Sequence, residues 1–155
     1  MTARELELGM KEQRLSVRLL RYWDVIRQNR RFPEIQQFKI AAVKELWPSC
    51  CLISISHGKR VQHKYKYEYM GKSIVEIYGR DLTGLYMDDK IRQFPGMIVF
   101  DALNNVLTER RPREDSGYFV NEAGKLIKYR SCFLPFGDEK IGLTHIVAAL
   151  SFRLD

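Results

Sequence analysis

The sequence lacks the features that indicate a membrane-spanning, secreted or disulfide-bonded protein. No apolar run approaches the roughly 20 residues of a membrane-spanning helix, and the charged N-terminus does not contain the apolar core of a signal peptide. The only cysteines are Cys50, Cys51 and Cys132, and an odd number with two adjacent members does not make a disulfide framework. We therefore expect a cytoplasmic protein in which the cysteines are small buried apolar side chains.

The motifs of the common enzyme classes are also absent from the sequence. It contains no Gly-x-Ser-x-Gly, no His-Glu-x-x-His, no phosphate-binding loop and no dinucleotide-binding fingerprint. It contains no Cys-x-x-Cys pair either, which argues against a structural zinc site. We therefore expect a protein that is not an enzyme and that has no metal site.

The composition is that of one globular domain with a basic net charge. The chain has 155 residues, of which 45% are apolar and 29% are charged, so it can bury a core without disulfides or metals. The 26 Lys and Arg residues exceed the 19 Asp and Glu residues and give a net charge of +7. This charge is compatible with nucleic-acid binding, but the basic residues are scattered and no recognition motif accompanies them.

The first third of the chain has the spacing of an amphipathic helix. Five apolar residues fall on one helical face, namely Leu15, Leu19, Tyr22, Trp23 and Ile26. The helix is expected to end near residue 29, before Pro33. Because an apolar helix face has to be covered, this one either folds back on its own domain or pairs with a second copy of the chain.

Three further helices are predicted downstream. One covers residues 40–46 and ends before Pro48, because the residue preceding a proline disfavours the helical conformation. A short one covers residues 72–78 and is ended by a glycine. The third covers residues 95–109 and opens with a proline at its favoured first-turn position.

Five strands are predicted, the first two of them from alternation along the chain. Residues 51–56 alternate apolar with small side chains, and residues 64–69 read Lys-Tyr-Lys-Tyr-Glu-Tyr. The latter pattern places Tyr65, Tyr67 and Tyr69 on one face. Three more strands, separated by turns, are predicted at residues 118–120, 125–136 and 141–152.

The order of these elements predicts an α+β domain in which helices cover one face of an antiparallel sheet. Within it, residues 1–47 form an N-terminal helical extension that flanks the core, and residues 48–155 form the core domain.

Four stretches of the sequence resemble PAS sensor domains. They are Tyr22-Trp23 with Arg31-Phe32-Pro33, residues 65–71 with Ile74-Val75, the loop Gly79-Arg80-Asp81-Leu82-Thr83-Gly84, and Arg110-Arg111-Pro112 with residues 133–136. The loop is the most specific of them, and the similarity extends over nearly the whole chain. It is closest to the branch of small stand-alone PAS proteins found mainly in alphaproteobacteria, although Phe136 replaces a smaller aliphatic residue of that branch.

The resemblance implies a PAS-like five-stranded antiparallel sheet that cups a cavity, with helices on one face and an N-terminal flanking helix. In PAS domains the cavity holds a cofactor or small molecule in some members and nothing in others. The resemblance therefore does not identify a cofactor for this chain. Haem is not expected, because haem-binding members use a histidine on the long helix and residues 95–109 contain none. Photoactive flavin is not expected either, because the Asn-Cys-Arg-Phe-Leu-Gln stretch of such domains is absent.

Candidate pocket residues are those expected on the inward strand faces and on the long helix, together with one arginine of the loop. They are Ile53, Ile55, Tyr67, Arg80, Val99, Leu103, Phe133 and Val147. The apolar members suit either a filled core or a hydrophobic ligand, and Arg80 suits an anionic ligand group. The loop also has a structural interpretation, since Asp81 and Thr83 can cap a turn and Gly84 can adopt a positive φ.

These expectations lead to one main hypothesis and one alternative. The main hypothesis is a non-catalytic PAS regulatory module that binds a small molecule or a regulatory protein partner and signals through its N-terminal helix. We expect a homodimer through the apolar face of that helix, because a self-complementary patch forms a twofold interface. The alternative is a basic nucleic-acid-associated protein that uses a PAS-like scaffold.

Overall fold

The computed structural model describes residues 3–57, 64–87 and 97–154, and the side chains of residues 15–57, 64–87 and 101–153. The helices of these ranges are α1 (Ala3–Arg27), α2 (Lys72–Tyr78) and α3 (Met97–Glu109). The strands are β1 (Cys50–Ile55), β2 (Tyr65–Met70), β3 (Arg113–Val120), β4 (Leu126–Asp138) and β5 (Gly142–Leu154).

The five strands form one antiparallel sheet in the order β2-β1-β5-β4-β3. Strands β3, β4 and β5 form a meander, because short turns connect consecutive antiparallel strands. Strands β1 and β2 come from the first half of the chain and extend the sheet beside β5. This architecture confirms the predicted fold class, an α+β domain with a PAS-like five-stranded antiparallel sheet, helices on one face and an N-terminal flanking helix.

The strand register divides the sheet into two faces. Ile53 of β1 lies opposite Tyr67 of β2 and Ile146 of β5, and these side chains, with Phe133 of β4, define the inner face. Side chains alternate along a strand. The intervening residues therefore define the outer face, which has at its centre Leu52, Leu134 and Val147.

Helix α3 covers the inner face. Its residues Ala102, Leu103 and Val106 are buried at the spacing of one helical face. Asn104 of the same helix contacts Tyr65 of β2, which fixes the helix over the inner face near the edge formed by β2. The predicted start of this helix at residue 95 lies outside the described residues.

The outer face is covered by residues 15–49, which we call the N-terminal segment. Helix α1 contacts β4 and β5, and its residues Leu15, Leu19 and Trp23 are buried. Phe38 packs edge-to-face on Phe136 of β4, with ring centroids 5.4 Å apart. The N-terminal segment and the sheet belong to one continuous hydrophobic cluster, so the core lies on both faces of the sheet.

The predicted α-helix at residues 40–46 is wrong. A short 3₁₀ turn at Ile40–Val43 and a turn at residues 44–46 take its place, and a second 3₁₀ turn follows at Trp47–Ser49. Only Val43 and Leu46 are buried among residues 40–46. An α-helix of fewer than about 12 residues needs a packed apolar face to be stable, and two buried side chains do not provide one.

Strand β4 extends past the end of β3, and the N-terminal segment covers the edge that is left open. The last residue of β4 that pairs with β3 is Phe133. Beyond it, the indole Nε1–H of Trp23 donates to the carbonyl oxygen of Pro135 at 2.8 Å. The N–H of Gly137 donates to the carbonyl oxygen of Pro33 at 2.9 Å. A proline is tolerated at this open edge, because it has no N–H that would lack a partner there.

A bulge in β2 separates the three tyrosines that were predicted to share a face. The register with β1 shifts by one residue between Tyr67 and Tyr69, and Glu68 is the extra residue. Tyr65 and Tyr67 are buried on the inner face, whereas Tyr69 lies on the outer face opposite Leu52. The prediction is therefore wrong for Tyr69, because one inserted residue reverses the alternation of every residue after it.

Candidate functional site

The inner face brings together five of the eight predicted pocket residues. Four of them are strand residues, and the fifth is on the covering helix. They are Ile53, Ile55, Tyr67, Phe133 and Leu103, and all are buried. The inner face beneath α3 is therefore the candidate ligand site.

The other three predicted pocket residues are not part of this site. Val147 lies on the outer face opposite Leu52 and Leu134, and its neighbour Ile146 is the inward residue of β5. Arg80 is exposed, because the chain leaves α2 for the surface at a glycine of φ 99°. Val99 belongs to α3, but its side chain lies outside the described residues.

Polar groups lie at the edge of the inner face, and two of them, on Asn104 and Tyr78, were not predicted from the sequence. The Tyr65 hydroxyl donates to Oδ1 of Asn104 at 2.6 Å. Tyr78 of α2 is buried, and its hydroxyl has no hydrogen-bond partner among the described residues. Both missed positions had a sequence signal. Tyr78 is four residues after the buried Ile74, and Asn104 adjoins a helix face that was expected to be apolar.

Burial keeps the tyrosines of the inner face protonated. It raises the pKa of Tyr65 to about 12 and holds the pKa of Tyr67 well above its usual range. Burial, and next the nearby charge of Glu122, raise the pKa of Tyr78 to about 12. All three hydroxyls are therefore neutral at physiological pH, and they suit hydrogen bonding to a neutral ligand better than proton transfer.

The loop after α2 is held by its own hydrogen bonds and closes against β2. The N–H of Thr83 donates to Oδ1 of Asp81 at 2.9 Å, and Thr83 Oγ1 accepts from the N–H of Met70 at 3.1 Å. Hydrogen bonds from the Thr83 side chain, and next from its backbone N–H, lower the pKa of the Asp81 carboxyl. Gly84 has φ 86° and donates its N–H to the carbonyl oxygen of Tyr67 at 2.7 Å. The structure thus supports the structural interpretation of this loop.

The three cysteines are buried, and their thiols are protonated at neutral pH. Burial, with a smaller effect of Cys132, raises the pKa of the Cys50 thiol to about 12. Burial raises the pKa of the Cys132 thiol to about 12 and also raises that of Cys51. Because the thiolate is the nucleophilic form, these side chains act as packing groups at neutral pH.

Aromatic rings connect β2 to α1 across the outer face. Tyr69 stacks on Trp47 with ring centroids 4.7 Å apart, and its hydroxyl donates to the Trp47 carbonyl at 3.2 Å. Phe38 lies 5.5 Å from Trp47 and 5.5 Å from Tyr22 of α1. The Tyr22 hydroxyl accepts from the N–H of Lys39 at 2.9 Å. We call the four rings of Tyr69, Trp47, Phe38 and Tyr22 the aromatic series.

The helix face that was predicted to form a dimer is folded back on its own domain. Leu15, Leu19 and Trp23 are buried, and Tyr22 and Ile26 pack partly buried against the same cluster. The sequence left open whether this face folds back on its own domain or pairs with a second copy of the chain. The structure shows that it folds back. Leu15, Leu19 and Trp23 are therefore not available to a second copy while α1 stays in place.

The described ranges contain neither a membrane-spanning helix nor a cluster of metal-ligating side chains. No helix there combines the length and the hydrophobicity that crossing a membrane requires. No group of three or more His, Cys, Asp or Glu side chains among the described residues is placed to hold a metal ion. Half-buried His145 lies opposite Ser54 on the outer face, and its Nδ1 is 2.9 Å from Thr144 Oγ1.

Comparison with known proteins identifies the fold. No family model matches the sequence, and no curated protein matches it. The light-state structure of the LOV domain of the blue-light photoreceptor Aureochrome1 aligns over 76% of this chain and 91% of its own length, with a TM-score of 0.52 and 12% identity. The fold is that of LOV domains, which are PAS domains.

Two further LOV structures agree with this assignment. A LOV domain studied with a flavin analogue aligns over 75% of this chain and 84% of its own length, with a TM-score of 0.54 and 8% identity. The LOV domain of the blue-light-activated histidine kinase EL346 of Erythrobacter litoralis covers 69% of this chain and 96% of its own length, with a TM-score of 0.50 and 14% identity. At these identities the similarity is one of fold, and fold alone does not determine function.

Proposed function

We propose that the protein is a sensory regulatory module in which a small ligand on the inner face changes the position or stability of α1. The observation that carries this proposal is the continuity of packed groups from the inner face to α1. Tyr67 faces inward, and two residues later, across the bulge, Tyr69 begins the aromatic series that ends at Tyr22 of α1. Strand β2 therefore contacts both the ligand face and the rings that hold the helix.

The ligand that fits the inner face is small, largely apolar and uncharged. The five pocket residues supply an apolar surface, as in most small-molecule sites. The buried hydroxyl of Tyr78 supplies a hydrogen-bonding group without a partner among the described residues. A charged ligand is disfavoured, because a charge buried without a counter-charge is strongly destabilised.

The transmission step follows from packing. A ligand shifts a conformational equilibrium only as far as it binds one state better than the other. A ligand that contacts Tyr67 moves β2 at the bulge, and the stacked pair of Tyr69 and Trp47 moves with it. Because Trp47 packs on Phe38, and Phe38 packs on Tyr22, the favoured position of α1 changes.

Native mass spectrometry tests the ligand. The purified protein is expected to carry a mass excess that disappears on denaturation. Tyr78→Phe is expected to lower the occupied fraction, because it removes the hydroxyl that has no other partner among the described residues. Tyr118→Phe, which alters an exposed tyrosine, is the matched control and is expected to keep the occupancy. A bare mass in the native state would refute the ligand hypothesis.

Hydrogen exchange tests the route to α1. Removal of the ligand is expected to accelerate amide exchange in α1, and Tyr69→Leu is expected to abolish that difference while the ligand still binds. This variant breaks the stacking on Trp47 without touching the inner face. Exchange in α1 that is the same with and without bound ligand in the parent protein would contradict signalling through this helix.

The output of such a module is a change in association with a second copy or a regulatory protein. Since the first apolar face of α1 is buried, we propose that its exposed side makes this contact. Val17, Leu20 and Val25 are exposed there. Analytical ultracentrifugation of Leu20→Asp is expected to show a weaker dimer than the parent protein, and a parent protein that is monomeric at all concentrations would refute the homodimer.

A photochemical role and a catalytic role are not part of the proposal. Two of the similar structures are described as blue-light photoreceptors or as part of one. In this chain all three cysteines lie in β1 and β4, and their thiols have raised pKa values. The polar groups of the inner face are neutral, which supports binding rather than catalysis.

A further inference from the structure

The two edge strands of the sheet, β2 and β3, differ in what lies beside them. Residues 84–87 run along the free side of β2. There the N–H of Gly84 donates to the carbonyl oxygen of Tyr67 at 2.7 Å, and the N–H of Met87 donates to that of Tyr65 at 2.9 Å. Within the described ranges, no segment pairs in this way with the free side of β3. The edge formed by β3 is therefore open in the described part of the chain.

The sequence of β3 lacks several of the features that block pairing at an edge. Proteins protect exposed edges with prolines, lysines and bulges. Strand β3 has eight residues, none of which is a proline or a lysine, and it pairs with β4 along its whole length without a shift of register. Two of its large side chains, Tyr118 and Val120, are 51% and 52% exposed. A regular edge of this length with exposed apolar side chains is a template for a further strand.

The charges of β3 make the strand complementary to a second copy of itself. Its first half, residues 113–115, reads Arg-Glu-Asp, and residues 117–119 read Gly-Tyr-Phe. Antiparallel pairing of two β3 strands about a twofold axis at Ser116 places the first run of each copy opposite the second run of the other. No two like charges then lie directly opposite each other, an arrangement that would be destabilising.

The same register brings Glu114 close to a cation of the second copy. Glu114 is exposed and forms no ion pair with another described residue. It lies opposite the second copy's Tyr118, and within each copy Lys128 lies on the other side of Tyr118, with its Nζ 5.8 Å from the ring centroid. The ammonium group has three donors, so it can bind the Glu114 carboxylate while it stays over the ring. The twofold symmetry repeats this pair on both sides of the axis.

Helix α1 lies beside the open edge on the outer face of the sheet. A groove of about 400 Å³ lies between Val17 of α1 and Ser116 of β3, and Val17 is exposed. A twofold axis perpendicular to the sheet at Ser116 keeps the α1 helices of both copies on the same side of the sheet. Val17 of each copy then faces the axis, so the exposed side of α1 and the β3 edge belong to one continuous surface.

We propose that β3 pairs antiparallel with β3 of a second copy, about a twofold axis at Ser116, so that two five-stranded sheets form one continuous sheet. The second copy is the occupant of the edge because β3 supplies, in its own second half, an uncharged partner for its charged first half. This inference rests on the homodimer of the proposed function and names the strand that forms it.

Analytical ultracentrifugation of the full chain tests the position of the axis. Salt at about 150 mM, where the Debye length is about 8 Å, screens the net charge of +7. Ser116→Lys and Ser116→Glu each place two like charges opposite each other at the axis, so each is expected to raise the dimer Kd at least about tenfold. An equimolar mixture of the two variants is expected to form a heterodimer with a Kd within about threefold of the parent value, because opposite charges then meet.

Matched controls make the same charge changes away from β3. Gln36→Lys and Gln36→Glu alter an exposed residue of the N-terminal segment, and each is expected to keep the dimer Kd within about threefold of the parent value. Because Ser116 is exposed, its variants are expected to have the circular dichroism spectrum of the parent protein. Equal dimer affinity in the parent protein and in both Ser116 variants overturns the proposal and leaves a homodimer through α1 alone.

Amide hydrogen exchange tests the strand without any variant. Exchange in β3 is expected to slow when the protein concentration rises from about 1 to about 100 μM, a range that brackets a micromolar Kd, while exchange in β2 stays the same. A dimer with unchanged exchange in β3 overturns the proposal. Slower exchange in β3 with added polylysine, but not with rising protein concentration, assigns the edge to a basic partner and also overturns it. A parent protein that stays monomeric overturns this proposal and the homodimer together, whereas ligand sensing is decided separately by the native mass.

Discussion

The hydrogen bond from Trp23 to Pro135 gives a quantitative test of how α1 is held. The carbonyl oxygen of Pro135 accepts from the indole N–H at 2.8 Å in a buried position. In Trp23→Phe this carbonyl loses its partner, and a buried polar group without a partner costs about 1–3 kcal/mol. The smaller ring also leaves a gap in the packing, so we expect a loss of roughly 2–4 kcal/mol in the free energy of unfolding.

Urea unfolding and thermal melting measure this loss. For a chain of this size, about 1 kcal/mol corresponds to a shift of roughly 2–4 °C in Tm, so Trp23→Phe is expected to lower Tm by roughly 5–15 °C. Amide exchange in α1 is expected to accelerate more than exchange in β1, because the bond joins α1 directly to the sheet.

A matched variant isolates the hydrogen bond from the packing. Replacement of Trp23 by 3-benzothienylalanine keeps a bicyclic ring of similar size and removes only the N–H donor. We expect this variant to lose the hydrogen-bond part alone, about 1–3 kcal/mol. Stability equal to that of the parent protein would refute the reasoning, since it would mean that the bond does not hold α1 to β4.

Three further predictions concern the sheet, the tyrosines and the cysteines. A Cβ at Gly71 would lie 2.1 Å from the carbonyl oxygen of Pro48, so Gly71→Ala is expected to lower the free energy of unfolding in urea by at least about 3 kcal/mol. Gly124→Ala is the control, because an added Cβ meets open space there and only the positive φ of 79° opposes it. Its free energy of unfolding is expected to fall by only about 1–2 kcal/mol. Equal losses in the two variants would contradict the close contact between Gly71 and Pro48. Because the pKa values of Tyr65 and Tyr78 rise from 10 to about 12 on folding, the native state favours their neutral forms. Stability is therefore expected to be intact below pH 10 and to fall between pH 10 and 12, and a phenolate absorbance titration that showed both tyrosines ionising near pH 10 would contradict this. The three buried thiols are expected to react with a disulfide reagent at pH 8 only on unfolding, when all three become titratable; rapid reaction in the native state would show that they are accessible.

The sheet could be predicted from the sequence because its information is local. Period-two alternation identified β1 and β2, and turn residues delimited the strand-like stretches that form the last three strands. Strand β3 is longer than predicted and includes the charged stretch from Arg113 to Ser116. It is an edge strand in which the burial alternates, so one row of its side chains is solvated and charge is tolerated there.

The errors arose where tertiary contacts decide the local conformation. No feature of Lys-Tyr-Lys-Tyr-Glu-Tyr marks Glu68 as a bulge, because what the bulge gains is the stacking of Tyr69 on Trp47, 22 residues away in sequence. Pairing with β1 likewise decides which residues of β5 point to the inner face. It places Ile146 rather than Val147 there. The prediction of a helix at residues 40–46 was wrong because packing, rather than intrinsic propensity, decides whether so short a segment is helical.

The candidate site was predictable in its apolar part and not in its polar part. Buried strand residues follow from alternation, so Ile53, Ile55 and Phe133 were found. Tyr78 and Asn104 come from two helices whose position over the sheet is a tertiary property. A sequence pattern places a residue on a face of its own helix, but it does not place that helix over a particular strand.

The open edge of β4 has a consequence for how the protein can be divided. A fragment that begins at residue 48, where the sequence placed the domain boundary, would lack every group that covers the outer face. Leu134, Phe136 and Val147, which are fully buried, would meet solvent beside unpaired backbone groups of β4. An uncovered strand edge next to an apolar face is a template for pairing between molecules. We therefore expect residues 48–155 alone to aggregate, as light scattering would show, and the N-terminal segment added as a separate chain to suppress that aggregation.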